Sequence, residues 1–326
     1  MSQSIAVTNV LNAALVHIFT GKYNIPNGDS FTGMQRFDQA TSRILISDVR
    51  EKRYIRDFFI VKNQLNGCDY EIYVQAEEDY KLDERGITSS YARLKELAEK
   101  YGFKIGKGGK GIDFVYAGEM LLKCPDVQLF GGISTADEKK TNVKNAQFTG
   151  PVQFNLLNPS LNKVALMPHQ NTSVFKSDTA NSQGAIATTF LVPFSVNQVV
   201  GYVNPALAVH TGLTEELVMD ALDASWRALG VCVSRSKIGQ ASRLLLKINM
   251  EDKLDQLVDV ENKIQLTNGS NKDLRDISEV QWDFSGLVAE LKDPRVRNVQ
   301  YRVEKSIEPI FDSQVIKALP GKFVKF

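Results

Sequence analysis

Basic side chains that could bind phosphate are concentrated in two short segments of the sequence. The first, Asp48–Phe58, reads DVREKRYIRDF and also contains Arg50. If this segment is helical, residues three and four positions apart share a face, so Lys52, Arg53 and Arg56 can stand together. A row of cations on a helix suits the phosphates of a nucleic acid. A solvated surface stripe, paired locally with the acids of the same segment, is the structural alternative.

The second basic segment, Ser234–Arg243, combines cations with small residues and reads SRSKIGQASR. In a loop rich in serine and glycine, side chains and backbone N–H groups can both reach phosphate oxygens. The candidates for phosphate contacts here are Arg235, Lys237, Gln240 and Arg243. A structural role, or a contact with another subunit, is the alternative for each of them.

The formal net charge of the 326-residue chain is only +1, but its charges are segregated. Five lysines and no acid lie between Lys139 and Ser177, and the second basic segment is also free of acids. Acidic residues gather in Glu77–Glu84 and Glu251–Glu261. Because local charge decides polyanion binding more than the sum does, this composition is compatible with a nucleic-acid partner.

Other site chemistries find little support in the sequence. Neither the three cysteines nor the three histidines have metal-ligand or CxxC spacing, so we predict no metal, no cofactor and no disulfide framework. The glycine cluster Gly106–Gly111 lacks the spacing of a phosphate loop. No apolar run reaches the roughly 20 residues that span a bilayer, and the N-terminus lacks a signal-peptide pattern. We therefore expect a soluble cytoplasmic protein with no membrane partner.

The predicted elements follow the order βαββαβ once an insertion between Tyr80 and Ala146 is set aside. They are strand Val10–Phe19, helix Ser47–Phe59, strand Asp69–Glu78, strand Phe148–Leu157, hairpin Asn162–Phe175 with Ala187–Val203, helix Leu213–Leu229 and strand Ser234–Met250. The insertion contains a further predicted helix. This order predicts an α+β fold of the ferredoxin-like (RRM-like) type, in which helices cover one sheet face and leave the other free for RNA.

Two features of the predicted strands are unusual. The stretch FTGPVQF, Phe148–Phe154, carries Gly150 and Pro151 in its middle. Proline in a strand is confined to edges or bulges and glycine marks a close backbone approach, so we expect something to cross this strand. The hairpin is uncharged from Thr179 to Thr214 and would expose apolar side chains unless it packs on a partner. Those side chains are Met167, Phe175, Ile186 and Phe190.

Five stretches in this order resemble one family: the backbone subunit of Cascade, the type I CRISPR surveillance complex, within the RAMP superfamily. The subtype that they resemble most is I-B. The stretches are NIPNGD (Asn24–Asp29), DVREKRYIRDF (Asp48–Phe58), DVQLFGG (Asp126–Gly132), FTGPVQF (Phe148–Phe154) and TGLTEE with SRSKIGQASRLLLK (Thr211–Lys247). Together they extend over about three quarters of the chain.

The resemblance implies a single RRM-like domain shaped like a right hand. The palm would comprise residues 1–79 and 147–326, helical fingers residues 80–146, and a thumb hairpin residues 166–194. Several copies would stack into a helical filament along one CRISPR guide RNA, with other Cascade subunits as further partners. The guide would then pair with target DNA in antiviral defence.

The resemblance also implies roles for individual residues. Contacts that ignore base identity must go to phosphate and sugar, which suits the two basic segments. His169, at the base of the thumb, could stack on a base or ribose, and Asn27 lies in the loop after the first strand. The implied RNA-binding residues are Asn27, Arg50, Lys52, Arg53, Arg56, His169, Arg235, Lys237, Gln240 and Arg243. The thumb residues Met167, Phe175, Ile186 and Phe190 would press on the next subunit and wedge between bases.

Two enzymatic alternatives belong to the same superfamily. Related backbone subunits of type III complexes place an aspartate on a palm loop to cut target RNA, and Asp29 lies in roughly that region. No second carboxylate cluster accompanies it to suggest a metal pair. A guide-processing endoribonuclease would carry a glycine-rich C-terminal segment, which Asp312–Phe326 lacks. We therefore expect a protein without catalytic residues.

Overall fold

The computed structural model describes residues 8–75, 89–106, 115–138, 140–172 and 186–326. Its chain forms two compact units, each built from three segments. The first unit comprises Met1–Asn12, Ile55–Gln153 and Tyr202–Ala224. The second unit comprises Ala13–Tyr54, Phe154–Gly201 and Ser225–Phe326.

Capping residues and first-turn acids mark the bounds of several helices. Ser89 accepts a hydrogen bond at Oγ from the backbone N–H of Ala92 (3.1 Å), and Gly102 ends the same helix at φ 74°. Asp48 and Glu51 place carboxylates in the first turn of the longest helix, where they favour the helix dipole. The helices are α1 (Asp48–Asn66), α2 (Ser90–Tyr101), α3 (Ala117–Leu121), α4 (Pro125–Phe130), α5 (Pro205–Thr211), α6 (Glu215–Val231), α7 (Ser285–Leu291) and α8 (Glu308–Phe311).

The strands include three long ones and many short ones. They are β1 (Ala13–Asn24), β2 (Phe37–Asp38), β3 (Arg43–Ser47), β4 (Val115–Tyr116), β5 (Gly131–Ile133), β6 (Val143–Lys144), β7 (Gln147–Thr149), β8 (Val152–Phe154), β9 (Leu157–Pro159), β10 (Met167–Thr172), β11 (Ile186–Val203), β12 (Gln240–Met250), β13 (Gln265–Leu266), β14 (Trp282–Asp283), β15 (Val296–Val303) and β16 (Phe323–Lys325). The central mixed sheet follows the order β10-β11-β1-β12-β15-β16. Strands β1 and β12 pair antiparallel from Ala13 opposite Asn249 to Gly21 opposite Gln240.

The centre of this sheet is covered on both faces. Every residue of β1 from Ala13 to Gly21 is buried, and successive side chains of a strand point to opposite faces. The 3₁₀ turn Val260–Asn262 packs against β1, and its Val260 is 1% exposed. The expectation of one bare sheet face is therefore wrong, because chain beyond β12 adds a covering layer that the βαββαβ pattern does not include.

A buried polar cluster joins helices α1 and α6 to β1 within the second unit. His17 on β1 lies with Nδ1 2.9 Å from Glu51 Oε1 of α1 and with Nε2 3.1 Å from Ser242 Oγ of β12. Ser225 of α6 donates its hydroxyl to the same Glu51 oxygen. All four side chains are less than 9% exposed. His17 is thus a structural histidine of this buried cluster.

The first unit explains Gly150 and Pro151. The predicted strand Phe148–Leu157 is broken into β7, which ends at Thr149, and β8, which begins at Val152. A Cβ atom on Gly150 would overlap the backbone of Phe130 and Gly131, which leave α4 beside it. The close approach is confirmed, but what crosses this strand is the protein's own backbone.

Two further predictions have different outcomes. The uncharged hairpin is confirmed, because β10 pairs antiparallel with β11 and sets Met167 opposite Leu191. Residues 69–75 of the predicted strand Asp69–Glu78 form no strand, and the rest of it lies outside the described residues. Backbone N–H groups that would pair with a neighbouring strand are bonded to side chains instead. The N–H of Tyr70 donates to Asn63 Oδ1 (2.9 Å), and the N–H of Tyr73 donates to Asp126 Oδ1 (2.8 Å).

Candidate nucleic-acid interface

In the second unit, hydrogen bonds join residues 22–26, where β1 ends, to residues 236–240, where β12 begins. We call these two bonded segments the ribbon. The N–H of Lys22 donates to the carbonyl of Gly239 (3.0 Å), and the N–H of Ile25 donates to that of Ser236 (2.9 Å). Between them, Asn24 Nδ2 donates to the carbonyl of Ile238 (3.0 Å). The second basic segment is therefore held rigidly against the loop that follows β1.

Lys237 is anchored inside this ribbon by its own side chain. Its Nζ donates to the carbonyls of Ile25 (2.5 Å) and Pro26 (3.1 Å). Gln240 Nε2 donates back to the carbonyl of Lys237 (3.0 Å), which fixes the turn between these two residues. The amine of Lys237 thus lies close to the protein surface but is largely withdrawn from water.

Helix α1 brings a guanidinium to the same place. The Cζ atom of Arg50 lies 3.8 Å from the centre of the Tyr54 ring, one helical turn further on. The hydroxyl of Tyr54 donates to Gln240 Oε1 (2.6 Å) and so connects α1 with β12. The Nε atom of Arg50 is buried without a hydrogen-bond partner among the described residues.

We call Arg50, Arg235 and Lys237 the basic cluster. Within the part of the chain that the structure describes, none of the three forms an ion pair with a carboxylate. Burial, together with the charge of Arg50, lowers the pKa of Lys237 to about 7. Arg235 is exposed on the same loop. Cationic side chains without a carboxylate partner favour an anion, and a phosphate group has the right charge and oxygen acceptors.

Other predicted cations are already paired with acids. Lys52 Nζ lies 3.0 Å from Asp48, four residues earlier on α1. Arg243 Nη1 lies 2.7 Å from Glu304 Oε2. Within the first unit, Arg56 Nε donates to the fully buried Asp126 (2.8 Å). Arg53 is half-buried on α1.

Two other predicted contact residues lie outside the basic cluster. Asn27 is 4% exposed, and its Oδ1 accepts hydrogen bonds from the N–H and the hydroxyl of Ser47 (both 2.8 Å). Asn27 therefore fixes the loop after β1. His169 is exposed on β10, opposite Thr189 of β11.

The apolar thumb residues lie on the hairpin arms as far as the structure describes them. Met167 is 38% exposed and Phe190 is half-buried on the facing strand. Ile186 begins β11, and Phe175 lies outside the described residues.

Family comparison identifies the chain. The family model described as CRISPR-associated protein Cas7 matches residues 12–285. The chain belongs to the Cas7 family. A curated relative, CRISPR-associated protein Cas7 of Haloferax volcanii, is 27% identical over 303 residues, which cover 88% of this chain and 84% of that protein.

Two solved structures are similar to this chain in fold. One chain of a structure titled "CRISPR RNA-guided surveillance complex, pre-nicking" aligns with a TM-score of 0.53 at 13% identity, covering 97% of this chain and 96% of that one. A chain of another structure, titled "CRISPR RNA-guided surveillance complex", aligns with a TM-score of 0.50 at 12% identity, covering 96% and 94%. At such low identity the likeness concerns the mixed α and β fold alone.

Asp29 in this Cas7-family chain has a local structural role. Its Oδ1 accepts hydrogen bonds from the N–H groups of Phe31 (3.0 Å) and Thr32 (3.2 Å), and its Oδ2 lies 3.0 Å from Arg36. These backbone donors hold the pKa of Asp29 below its usual value. Among the described residues, no group of three or more His, Cys, Asp or Glu side chains could hold a metal ion. Nor does any helix in the described ranges have the length and apolarity to cross a membrane.

Sequence reasoning missed two aromatic residues, one in contact with the basic cluster and one at the end of β1. Tyr54 lies under Arg50 and bonds to Gln240, and its position four residues after Arg50 on a helix was an available signal. Tyr23 is 50% exposed at the end of β1. Nothing in its sequence context distinguishes it from an ordinary strand tyrosine.

Proposed function

We propose that this chain is the multi-copy backbone subunit of a type I CRISPR surveillance complex. It binds the spacer of the guide RNA without sequence preference and presents it for pairing with target DNA. The observation that carries this proposal is the basic cluster. Arg50 lies on α1, Arg235 and Lys237 lie on the loop before β12, and none of the three pairs with a described carboxylate. The family match supports the same role.

The chemistry of the cluster suits backbone recognition. Guanidinium and ammonium groups bind phosphate oxygens of every nucleotide equally, whereas reading a base requires donors and acceptors matched to its edge. Because the central sheet is covered on both faces, we place the RNA along the rigid ribbon of the two loops. Pairing with the target then supplies the sequence specificity, as base pairing does in RNA-guided systems.

We expect the predicted RNA-contact residues outside the basic cluster to contribute less to binding. Lys52, Arg56 and Arg243 would have to exchange an existing carboxylate partner for phosphate, which reduces their net gain. Arg53, Asn27, Gln240 and His169 complete the predicted set. We assign Gln240 a positioning role, since its amide oxygen accepts from Tyr54 of α1 and its amide nitrogen donates to the carbonyl of Lys237.

The hand-like organisation belongs to the same proposal. The central sheet would form a palm on the ferredoxin-like plan, the segment 80–146 the fingers, and the hairpin of β10 and β11 the thumb. The exposed Met167 on that hairpin would contact a neighbouring copy of this chain along the guide. Other subunits of the complex would dock at the ends of the resulting filament.

We propose a structural rather than a catalytic role. Asp29, the aspartate of the nuclease alternative, already accepts two backbone hydrogen bonds and pairs with Arg36. A carboxylate used in this way shapes a turn. Substituting Asp29 by Ala and measuring target RNA cleavage by the assembled complex tests this role, because loss of a cleavage activity present in the parent would refute it.

The binding role is tested by removing charge from the cluster. We expect the double variant Arg235→Ala/Lys237→Met to bind single-stranded guide RNA more weakly and to the same degree for two unrelated spacer sequences. The slope of log affinity against log salt should fall by about 1.4, since each contacted phosphate of a single strand contributes about 0.7. Affinity is measured by fluorescence anisotropy between 50 and 300 mM salt.

A matched control removes the same charge elsewhere. Lys292 and Lys317 are exposed residues of the second unit outside the ribbon, so Lys292→Ala/Lys317→Ala should retain the parental salt slope. An equal loss of affinity in both double variants would mean that net charge alone attracts RNA. A loss that depended on spacer sequence would exclude phosphate contact by the cluster.

A further inference from the structure

Tyr23 has a backbone conformation that is unusual for a bulky residue. Its φ is 50°, in the left-handed region, where the Cβ of an L-residue is crowded and glycine is favoured. The other non-glycine residues of the described chain with positive φ, Ser42 and Asp259, have short polar side chains. Tyr23 is therefore the one aromatic residue that the described backbone holds in this conformation.

The hydrogen bonds around Tyr23 maintain this strain. The N–H of Lys22 on one side and the N–H of Ile25 on the other are bonded to the facing loop, so the backbone between them has little freedom. The facing segment uses a glycine where its own φ is positive, Gly239 at 85°. A glycine at position 23 would satisfy the same bonds without strain, so these bonds do not account for a tyrosine.

The side chain of Tyr23 gains little packing in return. It is 50% exposed, and the facing Ile238 is 64% exposed, so the ring does not contribute to a core. Strained backbone that orients an exposed side chain is a pattern associated with binding sites. Tyr23 lies near the end of β1, two and three residues before Ile25 and Pro26, whose carbonyls hold the amine of Lys237.

We propose that Tyr23 is a base-stacking residue, whose ring supports a nucleobase of the RNA strand held by the basic cluster. The proposal rests on the proposed function and adds to it a contact with the base itself. Single-stranded nucleic acids are bound by cationic grooves combined with aromatic platforms, and stacking tolerates every base because each has a π face. A stacked base is compatible with a site that ignores sequence. A second copy of this chain would instead need an apolar patch without adjacent unpaired cations.

Stability and binding should change in opposite directions when Tyr23 is replaced. We expect Tyr23→Gly to raise the melting temperature of the full-length protein, because glycine adopts positive φ freely. The same variant should bind a single-stranded oligouridine about tenfold more weakly, since one aromatic platform is lost. Tyr23→Phe keeps the ring and should bind within twofold of the parent. Tyr23→Leu keeps apolar surface without a π face and should behave like Tyr23→Gly in binding.

A crosslink locates the contact directly. Oligouridine carrying 5-iodouridine is irradiated with the full-length protein, and peptides are analysed by mass spectrometry. We expect an adduct on Tyr23 in the parent and none at this position in Tyr23→Leu. Parental affinity in Tyr23→Gly, or in Tyr23→Leu, would overturn the proposal, as would a missing adduct on Tyr23.

The same experiments separate this inference from the proposed function. If Arg235→Ala/Lys237→Met weakens binding and Tyr23→Gly does not, the stacking role fails and the function stands. If Tyr23→Gly instead alters only self-association, measured by sedimentation without RNA, the ring is a contact between copies and the stacking role fails. If the parent does not bind single-stranded RNA at all, both proposals fail.

Discussion

Raising the pH from 6 to 8 should weaken RNA binding, because Lys237 loses its proton in this range. Burial and the neighbouring Arg50 lower the pKa of Lys237 from 10.5 to about 7. The neutral amine still has two N–H donors for the carbonyls of Ile25 and Pro26, so deprotonation does not break the ribbon. A phosphate placed beside Lys237 favours the charged form and raises its pKa again. Above pH 7, binding therefore requires uptake of a proton.

The size of the effect follows from the protonated fraction. With a pKa of about 7, roughly ten in eleven free molecules carry the charged amine at pH 6 and roughly one in eleven at pH 8. If the bound state stays protonated throughout, affinity falls about tenfold, or about 1.4 kcal/mol. A bound-state pKa below 8 would reduce this difference, so tenfold is the upper value for one residue.

The assay is anisotropy of labelled guide RNA at constant ionic strength across this pH range. Lys237→Arg keeps a permanent charge and should give a nearly flat profile, and Lys237→Met should give weak, flat binding. Arg50→Gln removes the second cause of the lowered pKa, so the inflection should move to higher pH while affinity drops. If the profile of Lys237→Arg ran parallel to the parent, this reasoning would be refuted.

The same shift predicts the direction of a stability change. Between pH 7 and about 10.5 the unfolded chain binds more protons at Lys237 than the folded chain does. The contribution of Lys237 to the free energy of unfolding therefore rises with pH through this window and is lost as the pH falls through 7. Lys237→Met lacks this contribution, and denaturant titrations of the two proteins at several pH values compare them.

Two predictions concern the first unit and are measured by urea unfolding. Gly150→Ala should destabilise the protein by about 3 kcal/mol, because the new Cβ overlaps the backbone of Phe130 and Gly131, whereas Gly230→Ala, which meets open space, should cost nothing. A tolerated Gly150→Ala would show that this crossing can separate cheaply. Asp126→Ala should cost about 3–5 kcal/mol, since it leaves Arg56 without its buried partner. Asp220 pairs with Lys62 and has a side chain that is 43% exposed, so Asp220→Ala should cost under about 1 kcal/mol. Equal losses for the two aspartates would contradict the role of burial.

Elements with local signals could be predicted from the sequence. Ser89 caps the N-terminus of α2, and Gly102 ends it in the left-handed conformation. Glu215 and Glu216 mark the start of α6. The hairpin was predictable because its alternating pattern and lack of charge extend over both arms. The sequence could not show that residues 69–75 form no strand. The N–H of Tyr73 donates to the side chain of Asp126, which is 53 residues away.

The composition of the interface depends on contacts that the sequence does not show. Spacing places Lys52, Arg53 and Arg56 on one side of α1, but the partner that neutralises Arg56 comes from α4, 70 residues later. Conversely, the position of Arg50 beside Lys237 follows from the ribbon that joins two loops more than 200 residues apart. The sequence indicates which cations could bind phosphate. Ion pairs formed in the tertiary structure decide which of those cations lack a carboxylate partner.

The covered sheet explains why the proposed RNA contacts would not depend on base identity. An open sheet face would offer side chains to the bases, and such contacts discriminate between sequences. The ribbon at the end of the sheet presents backbone N–H groups, cations and one aromatic ring on a strained backbone. None of these groups distinguishes one base edge from another. Because hydrogen bonds already order the ribbon, the protein loses less conformational entropy on binding. Under the proposed function, repetition of such a site along one RNA would give tight binding without any requirement on sequence.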